Sequence, residues 1–165
     1  MMEIHRLLPG DDTATVARLS AEVQALHAAA EPHRYKKPGR KFITETARWF
    51  ASLLPDIDRF VLLGTVAGEP VAYASAALIY YAGDVYRPES STLYIDQFGV
   101  TAKQRGHGYG RALLDVLVEI GRYNDAQAIT LDVQAFNSDA IGFYQHYGFR
   151  ERRYRMALPL EERGA

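Results

Sequence analysis

QRGHGYGR, residues 104–111, lies between a strand-like stretch, Leu93 to Val100, and an amphipathic helix that begins at Ala112. The helix repeats apolar residues at i, i+3, i+4 and i+7, which are Leu113, Val116, Leu117 and Ile120. Glycines let the backbone N–H groups of such a turn converge, and a helix N-terminus adds about half a positive charge. The octapeptide therefore predicts an anion site, for a phosphate or pyrophosphate.

The composition excludes several classes of protein. A chain of 165 residues with 48% hydrophobic and 24% charged residues is typical of one globular domain. A net charge of -1 gives no general attraction to nucleic acid or to a membrane surface. The absence of cysteine excludes disulfides and thiolate chemistry, and the histidines lack metal-ligand spacing, so no metal is expected. Without a signal peptide or a long apolar run, we expect a cytoplasmic protein.

The periodicity of the remaining chain predicts a mixed order of helices and strands. Helices are expected from Asp11 to a stop before Pro32, from Lys41 to Leu54, and between a cap at Asn137 and a stop at Gly148. Strands are expected at Arg59–Ala67, Pro70–Tyr80, Leu93–Val100, Ile129–Gln134, from Phe149 onward, and at Tyr154–Leu158. This order indicates a mixed α/β (α+β) fold in a single domain over residues 1–165.

The common nucleotide motifs do not fit the glycine-rich turn. A P-loop requires a Gly-Lys pair, which occurs nowhere in the chain. A dinucleotide fingerprint that starts at Gly106 or Gly108 would need glycine where Arg111 or Leu113 stands. The pattern that does fit is R-x-x-G-x-G, formed by Arg105, Gly108 and Gly110.

Three blocks in the same order resemble the GNAT superfamily of acyl-CoA-dependent N-acetyltransferases. They are Tyr94–Val100 with its acidic residue, the R-x-x-G-x-G turn, and a later block from Leu131 to Phe149. The resemblance implies a GNAT-like fold, with a mostly antiparallel sheet that splays at the cofactor cleft and about four flanking helices. It also implies acetyl-CoA as co-substrate.

The resemblance assigns cofactor contacts to three places. The turn and the start of its helix would hold the pyrophosphate through Arg105, Gly106, His107, Gly108, Tyr109, Gly110 and Arg111. Phe98 and Val100 would offer backbone groups to the pantetheine arm, beside the gap at Gly99, and Asn137 would contact coenzyme A while capping its helix. Glycine within a strand often marks a bulge or a close approach, so Gly99 suits this gap. The alternative for Arg111 is a solvated surface arginine.

Two residues are candidates for proton transfer. An alkylammonium has a pKa near 10.4 and must lose a proton before it attacks, so Asp96 is predicted as the base, directly or through water. Tyr144 stands where the family has its general acid, and it would protonate the departing thiolate. The alternatives are an Asp96 that only holds substrate or forms a salt bridge, and a Tyr144 that is simply packed.

The resulting prediction is an enzyme that transfers the acetyl group of acetyl-CoA to a primary amine of a small molecule or peptide. Direct attack in a ternary complex is expected, because no cysteine can carry the acyl group. No nucleic acid or membrane partner is predicted, and the oligomeric state stays open, with a homodimer among the alternatives. A non-catalytic acyl-CoA sensor and a nucleotide binder with an unusual phosphate loop are the rival interpretations.

Overall fold

A computed structural model describes residues 1–160 as five strands, four α-helices and one short 3-10 helix. The strands are β1 (Glu3–Arg6), β2 (Arg59–Val66), β3 (Glu69–Tyr81), β4 (Ser90–Val100) and β5 (Ala128–Leu131). The helices are α1 (Ala14–Ala30), α2 (Arg40–Leu53), α3 (Tyr109–Tyr123) and α4 (Ser138–Tyr147). The chain forms two compact units, residues 1–132 and a second that begins at Val133.

All five strands belong to one sheet in the order β1-β2-β3-β4-β5. The first four pair antiparallel and only β4–β5 is parallel, which confirms the predicted mixed α/β fold with a mostly antiparallel sheet. The β2–β3 hairpin turns on two residues, Ala67 and Gly68, with φ values of 50° and 81°. Left-handed backbone at both central residues is typical of the tight turn that matches the twist of paired strands.

The two faces of the sheet carry different helices. On one face, α1 and α2 bury Val16, Phe50 and their neighbours against Val61 and Tyr73. On the other face, α3 buries Leu113, Leu114 and Leu117, and its Gly121 lies close to Leu93 and Ile129. Side chains alternate between the faces along a strand, so both faces of β3 and β4 are covered. This double burial explains the almost continuous buried run in β3.

Several predicted boundaries are wrong. The strand β1 was not predicted, and β5 ends at Leu131 rather than at Gln134. The strands expected from Phe149 onward and at Tyr154–Leu158 are absent from the described residues, where positions 150–160 are all exposed. An alternating pattern of side chains gives a segment the propensity to be a strand, but it does not provide a neighbouring strand. An extended segment becomes part of a sheet only by pairing with such a neighbour. The single domain over residues 1–165 stays a prediction, and residues 161–165 lie outside the described residues.

Candidate functional site

The strands β4 and β5 separate halfway along β4. Their parallel register runs from Thr92 opposite Ala128 to Ile95 opposite Leu131, where β5 ends. The strand β4 continues beyond this point to Val100, paired on its other side with β3. The second half of β4 therefore lies beside an opening in the sheet, as the resemblance predicted for the cleft.

A β-bulge lies where this opening begins. Ser75 pairs with Gln97 and Ala76 with Ile95, so Asp96 is the extra residue on β4. A bulge leaves its extra residue outside the regular ladder, bends the strand and redirects a side chain. The bulge is at Asp96 and not at Gly99, the glycine for which the sequence suggested a bulge or a close approach.

Gly99 is explained by a close approach of side chains. It pairs with Tyr73, and an added Cβ would lie 2.7 Å from Tyr73 Cε1 and 2.9 Å from Val23 Cγ2. Gln97, two residues earlier, accepts hydrogen bonds from Ser20 Oγ at 2.9 Å and from the Tyr73 hydroxyl at 3.2 Å. These contacts hold α1 tightly against β4 beside the opening.

The side chain of Asp96 forms a buried ion pair with Arg59 of β2. Arg59 Nη2 donates to Asp96 Oδ2 at 2.7 Å, and each side chain is 17% exposed. The guanidinium carbon also lies 5.9 Å from the centre of the Trp49 ring. Within residues 1–160, the buried atoms Asp96 Oδ1 and Arg59 Nε have no hydrogen-bond partner. Asp96 is therefore held through Oδ2, while its Oδ1 is buried and has no partner of its own.

Tyr94 and Asp132 lie beside this pair and were not predicted as site residues. The Tyr94 hydroxyl donates to Asp132 Oδ2 at 3.1 Å, across the point where β4 and β5 part. Burial raises the pKa of Tyr94, and the charges of Asp132 and Asp96 raise it further. Only the parallel register of β4 and β5 brings these residues together, so no local sequence signal could have indicated the contact.

The glycine-rich turn follows β4 and is tied to its end. Arg105 Nε donates to the Val100 carbonyl at 3.2 Å. Gly106 and Gly108 have φ values of +79° and +82°, in the left-handed region, and no atom lies within 4 Å of a Cβ added to either. The sequence needs glycine here because other residues are strained at such φ values. The turn leaves open space at its surface, which is what an anion cradle requires.

The helix α3 begins at Tyr109 with Gly108 as its N-cap, three residues earlier than predicted. Gly110 therefore belongs to the first helical turn and not to the loop, and Arg111 lies in that turn as predicted. The amides of a first turn have no acceptor within the helix, so they point outward from its positive end. His107 lies just before the helix, in the glycine-rich turn, and its ring stacks on that of Tyr109 with centroids 5.8 Å apart.

The second unit contains the other two predicted site residues. Asn137 caps α4, with its Oδ1 accepting the Ala140 N–H at 3.1 Å, as predicted. Tyr144 lies on α4, and its ring meets that of Phe149 edge-on at 5.5 Å. Burial raises the pKa of Tyr144 to about 12. The phenol is therefore protonated near neutral pH, and its hydroxyl can donate a hydrogen bond as well as accept one.

Two absences apply to residues 1–160. No group of three or more His, Asp or Glu side chains is arranged to hold a metal ion. No helix in this part of the chain is both long and apolar enough to cross a membrane.

Comparison with known proteins identifies the family. The model of the acetyltransferase (GNAT) family matches residues 22–149, which include β4, the glycine-rich turn and α4. The chain belongs to the GNAT family. GNAT proteins are acyltransferases that use acetyl-CoA, and the match covers every predicted site residue of this member. No match to a curated protein is found.

Solved structures show the same GNAT fold. A mutant of the BH1408 protein from Bacillus halodurans has a TM-score of 0.87 and 25% identity, covering 96% of this chain and 99% of that one. A predicted acetyltransferase with acetyl-CoA from Clostridium acetobutylicum has a TM-score of 0.67, 19% identity and full coverage of both chains, 100% and 100%. A ribosomal-protein-alanine N-acetyltransferase from Brucella melitensis has a TM-score of 0.70 and 20% identity, covering 97% and 100%.

Proposed function

We propose that this GNAT protein transfers the acetyl group of acetyl-CoA to the nitrogen of a primary amine on a small molecule or peptide. The observation that carries the proposal is the continuity of the site in the first unit. The bulge with its buried carboxylate, the part of β4 that extends past the end of β5, and the glycine-rich turn follow one another over Asp96 to Gly110. A donor can lie along this path with its anionic end at the turn and its acyl end near Asp96.

The residues present suit coenzyme A. The open left-handed glycines and the first turn of α3 form a cradle for a pyrophosphate. Phe98, Gly99 and Val100 lie on β4 beyond the end of β5, where backbone groups can pair with an extended pantetheine arm. Asn137 would add a contact from its cap position. When bound, the cofactor supplies an activated acyl group as a thioester.

The proposed chemistry is direct attack in a ternary complex. The amine nitrogen attacks the acyl carbon as its proton passes to Asp96 Oδ1, directly or through water, and the carbon–sulfur bond breaks. The Tyr144 hydroxyl gives its proton to the departing sulfur. General acid and base groups in such roles contribute roughly 100-fold to 10,000-fold each. No cysteine is available to carry the acyl group on the protein.

The cofactor assignment is tested with a matched pair of glycines. Gly108 and Gly68 have φ values of +82° and +81°, and neither has an atom within 4 Å of an added Cβ. Gly108→Val and Gly68→Val therefore carry the same backbone strain at two different turns. Calorimetric titration with coenzyme A should show at least about tenfold weaker binding for Gly108→Val only, because its side chain crowds the cradle.

Equal coenzyme A affinity in the two variants would contradict the cradle. Thermal shift with ATP in place of coenzyme A separates the nucleotide-binding rival, which requires stabilisation by ATP.

The acid is tested by Tyr144→Phe, which removes one hydroxyl and keeps the ring. We expect kcat for thiol release to fall at least about 100-fold while coenzyme A affinity stays within about twofold. Phe at position 144 preserves the ring contact with Phe149, so thermal melting checks that α4 is retained. An unchanged kcat would contradict the role of Tyr144 as the acid. If neither the parent protein nor any variant transfers the acetyl group, the rival interpretation of a non-catalytic acyl-CoA sensor is favoured.

A further inference from the structure

The ion pair between Arg59 and Asp96 has a consequence for the acceptor. Arg59 reaches diagonally across β3 to Asp96, since Arg59 pairs with Ala77, and Ala77 pairs with Tyr94, two residues before Asp96. The charges of Arg59 and Asp96 sum to zero at a site where both side chains are 17% exposed. A neutral pair at low exposure offers little net attraction to a cation, and a cation brought there loses its hydration.

The other charged group near the pair does not restore that attraction. Asp132 lies beyond Tyr94 and is exposed, so water and salt screen its carboxylate. Its Oδ2 already accepts the Tyr94 hydroxyl. From α2, the group that meets Arg59 is the uncharged ring of Trp49. The carboxylate of Asp96 therefore lies in a locally neutral environment.

We propose that Arg59 is a positioning residue that fixes Asp96 through Oδ2 and cancels the carboxylate charge, so that the enzyme selects weakly basic amines. This inference rests on the proposed function. An α-amine beside a carbonyl has a pKa near 7.8, so about 30% is neutral at pH 7.5, whereas an alkylamine near 10.4 is only about 0.1% neutral. A site that accepts only the neutral amine therefore favours α-amines over alkylamines by the ratio of these neutral fractions.

Arg59 is suited to this role by its contacts. Its guanidinium reaches across β3 to β4, a separation of 37 residues in sequence. A single 2.7 Å contact to Oδ2 fixes the carboxylate plane without engaging Oδ1. An exposed pair at the same distance, Arg122 with Glu119, has side chains 72% and 71% exposed and lies on α3. Arg122 therefore supplies a control with the same bond length and no burial.

The test compares two amines of similar shape, glycinamide and isobutylamine, by acetyl-CoA-dependent thiol release at pH 7.5. The parent protein should favour glycinamide in kcat/KM by at least about 30-fold, from the difference in neutral fraction. A preference for isobutylamine in the parent protein would overturn the inference without any variant. Thiol release with neither amine would contradict the proposed function, and the inference with it.

The variants then separate positioning from packing. In Arg59→Met the ratio between the two amines should fall at least about tenfold, because the uncompensated carboxylate attracts the alkylammonium. Arg59→Lys keeps the charge and should keep the ratio within about threefold, as should Arg122→Met. An unchanged ratio in a folded Arg59→Met protein would overturn the inference. If Arg59→Met fails to melt cooperatively, the test rests on the ratio of kcat/KM between glycinamide and isobutylamine in the parent and in Arg59→Lys. A preference for isobutylamine in Arg59→Lys would overturn the inference.

Discussion

Replacing Gly99 by alanine tests whether this glycine serves packing or cofactor binding. The added Cβ would lie 2.7 Å from Tyr73 Cε1 and 2.9 Å from Val23 Cγ2, both shorter than real contacts of this kind. Tyr73 is 1% exposed, and its ring meets that of Phe50 edge-on with centroids 6.3 Å apart. Its hydroxyl donates a hydrogen bond to Gln97 Oε1. The ring has no free direction in which to move, so the substitution overpacks the core.

The expected cost follows from two opposing contributions. Overpacking a rigid site costs about 2–3 kcal/mol, near the upper end of the usual range. Alanine offsets about 0.5–1 kcal/mol of this by reducing the conformational entropy of the unfolded chain. The free energy of unfolding should therefore fall by about 1–2.5 kcal/mol. Gly121→Ala is the matched control, because its Cβ would meet Ile129 and Leu93 at ordinary distances of 3.6–3.8 Å.

The assay is urea unfolding at 25 °C, followed by far-ultraviolet circular dichroism and by the fluorescence of Trp49. Gly121→Ala should raise the free energy of unfolding by about 0.5 kcal/mol through helix propensity, with an unchanged slope against urea. Gly99→Ala should lower it and leave the slope unchanged. If Gly99→Ala keeps its stability and instead loses coenzyme A affinity, the glycine serves the cofactor and the packing argument is refuted.

Two further predictions concern α4. Burial raises the pKa of Tyr144 to about 12, so the stability it contributes is complete below pH 10 and lost as pH rises through 12, about 2–3 kcal/mol in all. Urea titrations at pH 9 and 11.5 should show that Tyr144→Phe lacks this fall in the free energy of unfolding. The same fall in the parent and in Tyr144→Phe would contradict the prediction. Asn137→Ala removes the cap bond to Ala140 and should cost about 1 kcal/mol, while Ser138→Ala should be nearly neutral by thermal melting.

Local features of the site were predictable from the sequence because they depend on few neighbouring residues. The turn at 104–111 followed from glycines that tolerate left-handed backbone, and α3 from its apolar period. The Asn137 cap and the Gly148 stop are equally local, and the structure confirms both. The start of α3 was misplaced by three residues, because Gly110 was assigned to the loop although glycine also fits a first helical turn.

The pairing of distant strands was not predictable. The bulge at Asp96 depends on the register between β3 and β4, and the Arg59 partner comes from β2, across an intervening strand. The predicted strands after Phe149 were wrong for the converse reason, since their alternating pattern had no neighbour to pair with. The role of Gly99 likewise depends on Tyr73 and Val23, which pack from β3 and α1.

By itself, the sequence determined the anion-binding turn, the helix that follows it, the mixed fold and the family to which the chain belongs. Each of these is encoded by spacing within a short window or by short blocks in a set order. Only the tertiary structure decided which carboxylate oxygen lacks a partner, which arginine holds the other, and why a glycine lies near the end of β4. Those answers depend on contacts between residues far apart in the chain, and the sheet register together with the packing of the helices on the sheet determines which of them meet.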